Sequence, residues 1–179
     1  MYPYILLVNR AHPMGKNDVP KNLVPADFPF DAPARDLKRK LQAKAAQAAK
    51  ELFEDCAAQG LCLYGISGYR PYNRQKELYE ASTDGTVAPP GTSEHQTGLA
   101  LDVSCPSVGL QLTEAFADTP EGKWLKRSAP LYGFILRYPK GKEKITGYPW
   151  EPWHIRYVTK SLSLYLSLTG MTLEEYHML

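Results

Sequence analysis

Apolar and polar residues alternate most regularly in "GLALDVS", residues 98–104, where Leu99, Leu101 and Val103 would share one face of a strand and Ala100, Asp102 and Ser104 the other. "LCLYGISGYR" predicts a strand from Leu61 to about Ser67 that delivers Tyr69 and Arg70 to an edge. "FILRY" and "WHIRYV" are two further strand candidates flanking a turn-rich stretch, and the apolar patch at residues 4–8 is another. Elsewhere the helical period takes over. Leu37, Leu41, Ala45, Ala48, Leu52 and Phe53 recur at that spacing, with Asp31 as candidate N-cap, acidic Asp36 near the start and Gly60 as stop, which predicts one long amphipathic helix. "NRQKELYEA" after the Pro71 turn predicts a second helix. Thr119, Pro120 and Glu121 start a third over "PEGKWLKRSAPLYG", ended by Gly133. A short apolar helix and "LEEYHML" close the chain.

Between the first strand candidate and the long helix runs "HPMGKNDVPKNLVPADFPFDAPA". Pro13, Pro20, Pro25 and Pro29 oppose a helix there, while Leu23, Val24, Phe28 and Phe30 give the passage something to bury, so it predicts an ordered arm wrapping the core. Residues 82–93 read as a loop. Helices early and late with strands between them predict an α+β fold built on an antiparallel sheet. With no internal repeat or linker, the expectation is a single domain over residues 1–179, with residues 1–30 as an N-terminal arm packed on the core.

A hydrophobic content of 44% is enough for a real core. The 21 basic residues are nearly balanced by 19 acidic ones, which gives no broad basic face for nucleic acid and points to a small or neutral-polar partner. No run approaches the roughly 18 consecutive apolar residues of a membrane span. The first residues have neither a basic leader nor a small-residue cleavage site. The chain as it stands therefore favours the cytoplasm, or the cell envelope if a leader or anchor was removed. Cys56, Cys62 and Cys105 form an odd set without a C-x-x-C pair, which argues for free thiols rather than a disulfide framework or a cysteine metal knuckle.

Two of the four histidines stand in sequence that suits a site. His95 lies in the turn leading into the 98–104 strand, Asp102 projects from one face of that strand, and Gly98 between them permits a bend that could bring both side chains to one point. His154 enters another strand in "EPWHIRYV". Two imidazoles and a carboxylate would leave a zinc ion one open position, which is the catalytic rather than the structural pattern. Glu151, three residues before His154, then makes chemical sense as a general base. From spacing alone, a turn histidine with an aspartate bonding nearby backbone is the better account of residues 95–102, and H-E-x-x-H is absent. His12 and His177, in the arm and the tail, read as solvated or capping residues.

"SEHQTGLALD" matches S-x-H-x-x-G-x-A-x-D, and "EPWH" matches E-x-W-H. In both the chain resembles the zinc D,D-carboxypeptidase group that includes VanY-like and VanXY-like enzymes. The resemblance continues in order through "LLVNRAHPM", "SGYRPYNRQKELY", "YGFILRYPKGKEKITGYPWEPWHIRYV" and "TLEEYH". It implies a fold of the lysostaphin, D-Ala-D-Ala peptidase and hedgehog type, with a small antiparallel sheet carrying one zinc ion and helices flanking it. It also implies His95, Asp102 and His154 as metal ligands, Glu151 as catalytic base, and Arg70 and Gln75 as substrate-binding residues. A guanidinium suits bidentate capture of a terminal carboxylate, although a lone arginine in a "GYR" turn is by itself usually solvated. Ser93 could bind substrate or cap its turn.

The substrate implied is a peptidoglycan stem peptide or precursor ending in D-alanine. L,D-carboxypeptidase action on tetrapeptides and D-Ala-D-Ala dipeptidase action remain open with the same site, as does a zinc-binding module without turnover. Tyr148, Trp150 and Trp153 read as core, with Tyr148 also a candidate to polarise a carbonyl. Arg137 and Arg156 read as paired structural charges.

Overall fold

The alternation at residues 98–104 becomes the inner strand of a four-stranded antiparallel sheet in a computed structural model that describes residues 3–83 and 87–179. The strands are β1 (Leu23–Pro25), β2 (Lys40–Gln42), β3 (Tyr64–Ser67), β4 (Ala100–Ser104), β5 (Phe134–Leu136) and β6 (His154–Tyr157). The helices are α1 (Ala43–Ala58), α2 (Tyr72–Ala81), α3 (Pro120–Ser128), α4 (Glu143–Thr146), α5 (Lys160–Thr169) and α6 (Leu173–His177). The main sheet has the order β3-β4-β6-β5, and β1 and β2 form a separate antiparallel pair. This is the α+β architecture that the mixed pattern predicts. Of the loop expected at 82–93, residues 84–86 lie outside the described residues. Among the described residues, no helix is long and apolar enough to cross a membrane.

Period-two alternation gives the main sheet two chemically different faces. Leu101, Val103, Ile155 and Tyr157 point into the main core, where they meet Ala45, Ala49, Leu52 and Phe53 of α1. Asp102, His154 and Arg156 occupy the opposite parity and are buried as well. A polar sheet face without solvent must find its partners inside the protein, and those partners build the site. The arm packs where its aromatic residues can reach: the Phe28 ring lies 4.3 Å from that of Phe53, and Phe30 bridges to Gly65 on β3.

Two expected elements take another form. The helix predicted from an Asp31 cap begins only at Ala43, because the backbone before it is claimed elsewhere. Lys40–Gln42 pairs with Leu23–Pro25, the Lys38 and Lys40 carbonyls accept from Gly68 and Tyr69, and Gln42 N–H donates to Gly98. Asp36, not Asp31, caps a short 3-10 turn at Leu37–Arg39 by accepting from Lys38 N–H. The strand expected at residues 4–8 is instead a 3-10 turn at Pro3–Ile5. Its carbonyls are bound by side chains: Arg156 donates to Tyr4 and Leu6, and His177 donates to Ile5.

The start of α3 has no spare volume. A Cβ on Gly122 would sit 2.0 Å from the Phe116 carbonyl oxygen, which is itself held by Thr119 N–H and the Thr119 hydroxyl. Gly122→Ala is expected to cost about 1–3 kcal/mol, the usual range for overpacking, despite alanine's better helix propensity. Urea unfolding checks this, and an unchanged midpoint would contradict it.

Candidate active site

Sheet register brings the polar residues together. Asp102 on β4 pairs with His154 on β6 and, across a register shift, with Ser67 on β3. His95 reaches the same point from a 3-10 turn over Glu94–Thr97 that ends at Gly98, whose φ of +66° is left-handed backbone that glycine adopts without strain. His95 Nε2 lies 3.0 Å from Asp102 Oδ2, and His154 Nδ1 lies 2.8 Å from Asp102 Oδ1. One donor atom from each of the three residues falls within 4.8 Å of the others, so the cluster could hold a metal ion.

The hydrogen bonds around the cluster assign the nitrogens. His95 Nδ1 is 2.7 Å from the Gly68 carbonyl, which can only accept, so the proton sits there and the Nε2 lone pair is free to ligate. Burial lowers the His95 pKa against the pull of Asp102, which favours the same neutral ring. Burial also disfavours charge on His154, but Asp102, Glu94 and Glu151 outweigh it and push that pKa up to about 10. A metal ligated by His154 would therefore have to displace the proton that these carboxylates favour.

Glu151 flanks the cluster without belonging to it. Its Oε2 is 3.7 Å from His154 Nδ1, its side chain is 23% exposed, and its backbone N–H is fixed by the Tyr138 carbonyl. Burial pushes its pKa up to about 7, with the His154 charge opposing. The Tyr138 ring lies over the His154 imidazole at 4.9 Å, a packing partner that sequence reading did not single out. The Tyr148 hydroxyl donates to the Thr92 carbonyl at 2.9 Å.

Arg70 is tied to the cluster by a bond from its backbone N–H to the His95 carbonyl. Nη1 donates to Gln75 Oε1 at 2.9 Å and Nη2 to Ser67 Oγ at 3.0 Å. Gln75 is fully buried one turn into α2 and donates its own amide to the Ala88 carbonyl. Among the described residues, the bonds to Gln75 and Ser67 take up two of the five donors of the guanidinium. Ser93 is buried at the N-cap position of the His95 turn, where its side chain makes no cap hydrogen bond.

Glu94 is the residue that sequence reading missed. Fully buried, it accepts from Arg137 Nε and Arg156 Nη1, both at 2.7 Å, and Arg137 also holds Glu174 through two bonds. Burial works against a charge on Glu94, yet the two guanidinium groups hold its carboxyl far below the usual range. The signal lay in Arg137 and Arg156: two arginines in strand-like runs require a buried acidic partner.

The family model described as VanY, D-alanyl-D-alanine carboxypeptidase, matches residues 38–160. The putative carboxypeptidase YodJ of Bacillus subtilis is 44% identical over 96% of this chain, which spans 66% of that relative's length. VanXYC of Enterococcus gallinarum, a bifunctional D-Ala-D-Ala dipeptidase and carboxypeptidase, is 38% identical over 96% of this chain and 92% of its own. Among solved structures, the LD-carboxypeptidase LdcB superposes with a TM-score of 0.93 at 44% identity, covering 98% of this chain and 86% of that one. A mutant of the D,D-pentapeptidase VanY from a VanB-type resistance cassette, in complex with Zn(II), gives 0.77 at 29% identity over 98% and 99%. The chain belongs to the VanY family of D-alanyl-D-alanine carboxypeptidases.

Proposed function

We propose that the protein is a zinc carboxypeptidase that removes a terminal D-alanine from peptidoglycan stem peptides or their precursors. The observation that carries this reading is the arrangement of two groups: a buried His–Asp–His cluster flanked by a carboxylate, and an arginine whose backbone is tied to His95 and whose guanidinium is held by Gln75 and Ser67.

His95 Nε2, Asp102 and His154 Nδ1 would hold the zinc ion. Two nitrogens and a carboxylate oxygen match its preferred donors, and the three donor atoms already lie within 4.8 Å of one another. When bound, zinc supplies Lewis acidity, polarising the scissile carbonyl and making a water molecule more acidic. Arg70 receives the terminal carboxylate, with Gln75 and Ser67 holding the guanidinium plane so that little entropy is lost on binding. Glu151 takes the proton of the attacking water and returns it to the departing amine of D-alanine. Ser93 lies beside His95, where its hydroxyl can contact the substrate backbone.

The strong likeness to LdcB favours an L,D preference, with a tetrapeptide ending in one D-alanine as substrate. Incubating the zinc-loaded protein with a pentapeptide, a tetrapeptide and D-Ala-D-Ala, and identifying products by mass, tests both readings. D-Alanine should leave the pentapeptide or the tetrapeptide, stop leaving in excess chelator, and leave again when zinc is restored. Zinc-loaded protein inert toward all three would refute the proposal.

A further inference from the structure

Among the described residues, Glu94 Oε2 and His154 Nε2 are buried polar atoms without a hydrogen-bond partner, and they face each other across 3.8 Å. Orphaned polar atoms deep in a protein are costly, so such a pairing asks for a reason. The other oxygen of Glu94 is committed to two guanidinium donors, which fix the carboxylate and leave Oε2 aimed at the imidazole. Those arginines are anchored in turn, Arg137 by Glu174 of α6 and Arg156 by the carbonyls of Tyr4 and Leu6. The capping box between Thr172 and Glu175 sets the first turn of α6, and with it the place of Glu174.

Across the ring, His154 Nδ1 faces Asp102 and Glu151. A neutral imidazole offering a lone pair on Nδ1 must carry its proton on Nε2. The atom facing Nε2 is an oxygen of a carboxylate paired with two guanidinium groups, and it can only accept. We propose that Glu94 is a positioning residue that selects the Nε2–H tautomer of His154 and so presents Nδ1 to the metal; this rests on the reading that His154 binds zinc. Tyr138 packs on the ring but cannot choose between its nitrogens.

Glu94→Gln tests the proposal because it reverses one demand while nearly preserving shape. Arg137 and Arg156 still require an acceptor, so the amide oxygen takes the Oε1 place and the NH2 group points at Nε2. A donor there favours the Nδ1–H tautomer, which blocks the ligand atom. Zinc affinity, measured by chelator competition, should fall about 10–100-fold, as is usual for loss of a residue that orients a ligand. Glu174→Gln removes a charge from the same network without touching His154, so it should lower the melting temperature and leave zinc affinity like the wild type.

The proposal is overturned if Glu94→Gln binds zinc as the wild type does, or if both variants weaken zinc equally for equal loss of stability. Should Glu94→Gln fail to fold, long-range 1H–15N spectra of the zinc-loaded wild type decide. An Nε2 proton on His154 with the downfield shift of a hydrogen bond to a carboxylate supports the inference, and an Nε2 proton without that shift, or a proton on Nδ1, overturns it. A wild-type protein that takes up no zinc at all would remove the underlying reading of the site, a result distinct from any of these.

Discussion

Glu151→Gln is expected to lower kcat by about 10²–10⁴-fold, the range for losing a general base, while zinc content stays at the wild-type level. The two parts of this expectation have separate causes. Glutamine keeps the volume and the backbone anchor to Tyr138 but cannot accept a proton from water at neutral pH. Metal retention follows because His95, Asp102 and His154 supply one donor each without Glu151. KM should change little, since the proposed carboxylate clamp at Arg70 is built from Ser67 and Gln75 rather than from residue 151. Steady-state kinetics on the best stem peptide, with metal analysis of the same sample, separates the outcomes. Full turnover in a zinc-replete variant would remove Glu151 from the mechanism; joint loss of zinc and activity would make it a ligand instead of a base.

The candidate site was legible in proportion to how local its determinants are. The strand carrying Asp102 announces itself by alternation, and the positive φ at Gly98 follows from a bend that glycine alone adopts cheaply. The convergence of Asp102 with His154 is different in kind. It depends on β4 having β6 as its second neighbour beside β3, with β5 beyond β6, and no spacing within either motif encodes that neighbour. On spacing alone a simple turn is the better account of residues 95–102, and resemblance to a family had to supply the difference.

The misread segments share one cause. Helical periodicity around Leu37 and Leu41 is real, but the backbone there serves β1, Gly68 and Tyr69, so tertiary partners override a local preference. The apolar patch at residues 4–8 has its carbonyls taken by Arg156 and His177. Glu94 was invisible because a glutamate in a turn reads as solvated, and its two arginines lie more than forty residues downstream.

Those arginines also carry the largest stability effect expected here. Arg156→Met should cost about 3–5 kcal/mol, the range for breaking a buried ion pair by removing one partner. Methionine fills much of the volume, so the loss comes from groups left behind: Glu94 keeps only one of its two cations, and the Tyr4 and Leu6 carbonyls lose their shared donor. Arg156→Lys separates these contributions. Lysine restores the charge but is a single ammonium, and it cannot reach Glu94, the Tyr157 carbonyl and both arm carbonyls together as the guanidinium does. Its cost should be about 1–3 kcal/mol, that of leaving buried acceptors unpaired. Because the unpaired carbonyls belong to the arm, limited proteolysis near residues 4–8 should quicken in both variants. A lysine variant as stable and protease-resistant as the wild type would mean that charge alone matters at this position and that the fork geometry tying the arm to the polar sheet face contributes nothing.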